Sequence, residues 1–186
     1  MDTSAPVLIV IDVQEGFLDS RWGPTDNPMA EKNIRALLTH WRALQRPIVL
    51  VRHDSAEPGS PLAPGTQGNA LQPGIDGVHD LLVTKSVNSA FYGEPDLNTW
   101  LREHGHNSLV ICGLITNHCC ETTARMAGNL GYDVTFVIDA TRTFDMTHPD
   151  GSVIAANNLS RATAASLDGE FATVMNTSDL LSIGSD

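Results

Sequence analysis

A base, a cation and a thiol each stand just beyond an apolar, β-branched run of this chain. Asp12 follows "VLIVI" (7–11), Lys85 follows "LLVT" (81–84), and Cys119 follows "LVIC" (109–112) after the short turn "GLITNH". If these runs are strands of one parallel sheet, all three side chains gather at its carboxyl edge, where such sheets bind ligands. Cys119 also opens a helix-like run, and unsatisfied N–H groups at a helix mouth favour an anion and lower a thiol's pKa. Each residue has an ordinary reading beside the reactive one. Asp12 suits a turn or a helix cap, Lys85 a solvated strand end, and Cys119 a small core side chain. Their joint placement favours chemistry.

The elements that must position them alternate. Strands are expected at 7–11, 48–51, 81–84, 109–112, 134–138 and 171–175. Between the first two, Ile34, Leu37, Leu38, Trp41 and Leu44 form one apolar helical face, which Pro47 ends. A shorter helix is expected in "PDLNTWLREHG", capped by Asp96 and stopped by Gly105, and another in "CETTARMAGNL", stopped by Gly131. Residues 151–167 carry a blurred helical period. Continuous apolar strands separated by helices imply a three-layer α/β/α sandwich, a mainly parallel, Rossmann-like sheet of about six strands, in one domain spanning 1–186. Residues 53–79 hold five glycines and four prolines, which excludes regular structure, and a loop that long is expected to wall a pocket.

Composition narrows the function. With 11 basic and 22 acidic residues the net charge is −11, and no basic stripe exists to displace counterions from nucleic acid. The first apolar run ends at Asp12, too short for a signal peptide or a membrane span. Three cysteines, two of them adjacent, are a poor disulfide framework, so a reducing cytoplasm is the expected location. No Gly-x-Ser-x-Gly elbow, P-loop, dinucleotide fingerprint, His-Glu-x-x-His or Cys-x-x-Cys occurs. The expected partner is a small molecule.

Four stretches, "LIVIDVQEGF" (8–17), "VTKSVNSAFYG" (83–93), "VICGLITNHCCETTARMAGNLGYDVTFVIDATRTFD" (110–145) and "LDGEFATVMNTSDLL" (167–181), resemble the isochorismatase-like cysteine hydrolases. That family includes nicotinamidases, N-carbamoylsarcosine amidase and isochorismatases. The resemblance implies its hydrolase fold and a triad of Cys119 as nucleophile, Asp12 as general base and acid, and Lys85 holding the thiolate. It implies an oxyanion hole from the backbone N–H groups of Ile115 and Cys119, with a cis peptide at Leu114–Ile115. The expected activity is cleavage of a small amide, ureide or lactam through a thioester, with the streptothricin hydrolases among the short relatives. Vinyl-ether hydrolysis, a redox pair of Cys119 and Cys120, and a non-catalytic scaffold are the alternatives, with Cys120 expected in the core. Nicotinamidases hold a metal through an Asp-x-His pair and further histidines after the second strand. Here "RHDSAEPGSPLAPG" has His53 and Asp54 without that spacing, and the next histidine is His79, so neither metal nor cofactor is expected. Candidates for the pocket wall are Gln14, Phe17, Asn88, Phe91, Tyr92 and His118, with Trp22 beside them; Gln14 is also expected to orient Asp12 or a water. Members of the family are commonly dimers or tetramers, and a homo-oligomer is expected.

Overall fold

The computed structural model describes residues 5–183. Residues 1–4, part of the stretch read above for a signal segment, and 184–186 lie outside the described residues. In chain order the elements are β1 (Val7–Ile11), α1 (Ala30–Ala43), β2 (Ile48–His53), β3 (Leu81–Lys85), α2 (Leu97–Glu103), β4 (Ser108–Leu114), α3 (Glu121–Asn129) and β5 (Asp133–Arg142). There follow β6 (Met146–Thr147), β7 (Val153–Ile154), α4 (Ala156–Leu167), β8 (Thr173–Met175) and α5 (Thr177–Ser182). Six strands form one sheet in the order β3-β2-β1-β4-β5-β8, every neighbouring pair parallel. β6 and β7 make a separate two-stranded antiparallel hairpin.

The continuous apolar runs have the cause inferred from the sequence, since both faces of the sheet are buried. Val7, Ile9 and Ile11 of β1 pack with Leu97 and Leu101 of α2 and with Ala124 and Ala127 of α3. Leu8 and Val10 turn to the opposite face, against Ile34, Leu37, Leu38 and Trp41 of α1. Leu44 does not join that face. α1 ends at Ala43, Gln45 takes a left-handed φ of 52°, and Leu44 is left 45% exposed. Asp96 caps α2 by accepting from the Thr99 N–H at 2.6 Å. Gly105 and Gly131 follow their helices at φ 71° and 85°. The blurred region resolves into β7 and then α4, which begins only at Ala156. No helix among the described residues is long and apolar enough to cross a membrane.

One buried residue predicts how stability responds to pH. His106, just before β4, is 2% exposed, packs on the rings of Trp100 and His104, and has no hydrogen-bond partner for Nδ1. Burial, then the neighbouring His104, lower its pKa, and Asp80 opposes them. Burial likewise comes first in lowering His53 and His118. A histidine lowered by folding takes up its proton first in the unfolded chain, so stability declines as pH falls through the unfolded value of about 6.5. The urea midpoint is expected to be lower at pH 5.5 than at pH 7.5, and His106→Leu to shrink that difference. The lowered carboxylates Asp19, Asp54, Asp96 and Asp150 act below their ordinary value of 3.8, outside this window, whereas Asp12, raised by burial, works against the histidines as pH falls.

Candidate active site

Strand order brings the three reactive residues together. Asp12 leaves β1 with a left-handed φ of 51°, and its N–H donates to the Val51 carbonyl at 2.9 Å. Lys85 ends β3, two strands away, in register with His53 at the end of β2. Its long side chain spans the end of β2 to reach Asp12. Cys119 lies in the wide helical turn Thr116–Cys120 that joins β4 to α3. The Leu114–Ile115 peptide before that turn is cis, as the resemblance implies.

The Lys85 ammonium donates to Asp12 Oδ2 at 2.5 Å and to Cys119 Sγ at 3.3 Å, and it meets His53 Nδ1 at 3.1 Å. An ammonium has no acceptor, so His53 must present an unprotonated Nδ1 and carry its ring proton on Nε2. Both charged side chains of the Lys85–Asp12 pair are wholly buried. Burial pushes the Asp12 carboxyl up, and Lys85 pulls it back. Burial also works against the Lys85 charge, but Asp12 and Cys119 outweigh it and raise the ammonium. Burial and then the Asp12 carboxylate push the Cys119 thiol up to about 12, with Lys85 opposing. Burial thus works against the lowering of the Cys119 pKa expected from the helix mouth. The set has the geometry of a buried ion pair beside a thiol whose pKa burial raises. Asp12 Oδ1 is buried with no hydrogen-bond partner among the described residues, so one carboxylate oxygen can receive a proton.

A cavity of about 320 Å³ opens onto this set, within the range of small-molecule sites. Of the wall candidates, Phe17, Asn88 and His118 line it, and so does Trp22. Asn88 Oδ1 lies 3.7 Å from Cys119 Sγ. Ile115, Cys119 and Asp12 also face the cavity. Gln14, Phe91 and Tyr92 do not. Gln14 is fully buried and acts as a strut: Nε2 donates to the carbonyls of His53 and Asn69, and Oε1 accepts from the His53 N–H at 2.8 Å. Its side chain thus orients the end of β2 rather than Asp12. Phe91 is in the core, stacked on Tyr132 at 5.9 Å, because its short helical turn packs against α2 and α3. Tyr92, the next residue on that turn, points to solvent and is 71% exposed.

The long loop walls the pocket only in its first part, through Ser55, Ala56, Glu57, Ser60 and Leu62. Its latter part covers the other side of the molecule, where Arg42 of α1 donates to the carbonyls of Gly74, Ile75 and Val78. Asn69 ties the two parts together by donating to the carbonyls of His53 and Leu62 and to Asp54. Sequence reasoning weighed His53 only as a metal ligand and missed its contact with Lys85. The signal lies in strand order, because β2 separates β1 from β3 and its last residue must sit between Asp12 and Lys85. Cys120 is fully buried in the core, as expected.

Asp12, His53 and Cys119 offer donor atoms within 4.8 Å of one another. These three donors already converge on the Lys85 ammonium, at 2.5, 3.1 and 3.3 Å. A divalent ion drawn to them would be repelled by that charge, so the residues do not fit a metal. His79 is not among the lining residues; its ring meets the Gly77 carbonyl instead.

Parallel sheet and covering helices define the class of three-layer α/β/α proteins, here with a buried carboxylate, ammonium and thiol meeting at the carboxyl edge of the sheet. An isochorismatase domain matches residues 6–178, and the chain belongs to the isochorismatase family of hydrolases. It is similar to the uncharacterized isochorismatase family protein YrdC of Bacillus subtilis, at 36% identity over 94% of this chain and 93% of that one. A solved structure of an isochorismatase-family protein from Chromobacterium violaceum superposes with a TM-score of 0.91, at 37% identity over 97% of this chain and 93% of that one. A streptothricin hydrolase of Streptomyces noursei is 31% identical over 88% of this chain and 65% of its own length.

Proposed function

We propose that the protein is a metal-independent cysteine hydrolase that opens a C–N bond of a small amide, ureide or lactam through a thioester on Cys119. The observation that carries this reading is the Lys85 ammonium bonded at once to Asp12 and Cys119 in a buried cluster at the cavity floor. The streptothricin hydrolase among the relatives agrees with it.

The reaction runs in two halves. Asp12 takes the thiol proton on its unpartnered Oδ1 as sulfur attacks the carbonyl carbon. Lys85 stays protonated and stabilises the sulfur anion as it forms, which a thiol of pKa about 12 requires. The carbonyl oxygen becomes an anion and accepts from the N–H groups of Ile115 and Cys119, each worth about 3 kcal/mol in sites of this kind. Collapse breaks the C–N bond, and the leaving nitrogen takes the proton from Asp12. Water, deprotonated by the same carboxylate, then attacks the thioester and expels sulfur. That proton returns from Asp12 to sulfur, restoring the thiol. Neutral His53 keeps the ammonium in place as a third acceptor, and its Nε2–H is left for water or substrate.

The test is to mix the protein with a panel of amides, ureides and lactams and quench early. A substrate is expected to release amine or ammonia and to leave an acyl mass on the peptide carrying Cys119. Cys119→Ala should lose both signals. Turnover of the same substrate by Cys119→Ala at the wild-type rate would sink the proposal.

A further inference from the structure

We propose that this cavity selects flat amides carrying a positive charge and turns anions away, and that Glu57, which lines it together with Phe17 and Trp22, is the residue that reads the charge. The inference rests on the amide-hydrolase reading above and extends it to the substrate class.

The lining of the cavity is unbalanced in charge. Among the described residues no arginine or lysine lines it, and apart from Asp12 the one acidic side chain that does is Glu57. Lys85 stands behind the floor with its charge matched by Asp12 at 2.5 Å. His53 and His118 are both shifted down, first by burial, and so enter neutral near pH 7. The arginines nearest in sequence are engaged: Arg52 with Asp54 at 2.9 Å, and Arg21 with Asp19 at 3.0 Å. An anionic substituent would therefore enter without a cation to meet it.

Glu57 is free to act. It is exposed, its backbone N–H is held by the Ser55 hydroxyl at 3.2 Å, and no partner for its carboxylate is found among the described residues. Its field reaches His53 at the cavity floor. Phe17 and Trp22, which line the same cavity, lie 5.1 Å apart at 39°, backed by Phe144 at 6.4 and 5.5 Å. A wall of aromatic faces takes a flat body and attracts a cation over the rings. The net charge of −11 adds a long-range field that concentrates cations and repels anions.

Three molecules of nearly one shape test this: 3-(aminomethyl)benzamide, 3-(hydroxymethyl)benzamide and 3-carboxybenzamide. Ammonia release should give kcat/KM for the cation on the order of tenfold above the anion at low salt, with the neutral compound between. Half-molar salt and Glu57→Gln should each cut that ratio to about threefold or less. Binding of the same three molecules to Cys119→Ala protein, followed by calorimetry, gives the charge preference without turnover. If none releases ammonia above the Cys119→Ala blank, the hydrolase reading fails for such amides and the binding order still decides this one. An anion bound or hydrolysed as well as the cation, a cation that does not bind, or a ratio unchanged in Glu57→Gln would overturn it.

Discussion

Asp12→Asn is expected to cut amide turnover by about 10³-fold or more while leaving the thiol in place. General base and acid catalysis together are commonly worth about 10²–10⁴-fold, and Asp12 is asked to do both. The substitution also strands a wholly buried ammonium, because among the described residues Oδ2 is the only carboxylate oxygen that Lys85 meets. Breaking one side of a buried pair costs roughly 3–5 kcal/mol of stability, and Lys85→Met should do the same from the other side. In that variant Asp12 loses the largest influence opposing burial, so its carboxyl should hold a proton more readily and accept one from the thiol less well. The double variant separates the two effects. Asp12→Asn with Lys85→Met removes both charges, so it should regain much of the lost stability and none of the lost activity. Urea unfolding and single-turnover kinetics on the four proteins make the measurement. Either single variant keeping kcat within tenfold of wild type would contradict the assignment.

The second large effect lies in the sheet. Gly113 of β4 sits opposite Ile11 of β1, one residue before Asp12. A Cβ there would stand 2.1 Å from the Ile11 carbonyl oxygen and 2.6 Å from its nitrogen, at a φ of 130°. All the nearest atoms are backbone, so no side chain can swing away. Gly113→Ala must push β4 from β1 between the two strands that carry Asp12 and lead to Cys119. Overpacking and backbone strain at about 1–3 kcal/mol each give a loss of roughly 2–6 kcal/mol. Gly131→Ala is the control, because Gly131 has a φ of 85° and nothing within 4 Å of its Cβ position. It should cost about 1 kcal/mol and leave the site intact. Equal urea midpoints for the two variants would show that the close approach of β4 to β1 does not matter.

Much of this protein is legible from its residues. The β-branched runs mark the six strands, the face of Ile34, Leu37, Leu38 and Trp41 marks α1, and Asp96 with Gly105 brackets α2. The errors fall where neighbours in space overrule neighbours in sequence. Leu44 fits the period of α1, yet the helix stops before it. Phe91 and Tyr92 read alike as wall residues, yet a single helical turn sends one inward and the other to solvent. Gln14 lies two positions past Asp12, and its amide serves the backbone of His53 and Asn69 instead.

By itself the sequence picked out Asp12, Lys85 and Cys119 as candidates and set the edge of a parallel sheet at which they lie. Runs of apolar residues set the strands, and chain direction then sets the end at which each strand finishes. Only the tertiary structure decided that β2 lies between β1 and β3, and so that His53 shares the Lys85 ammonium with Asp12 and Cys119. It also decided how strongly burial acts on the Cys119 thiol. Burial is a sum over everything packed around a group, and that sum raises the Cys119 thiol against whatever the helix mouth favours. No local pattern of residues carries that sum, because its contributors come from β1, β3 and the turn before α3 at once.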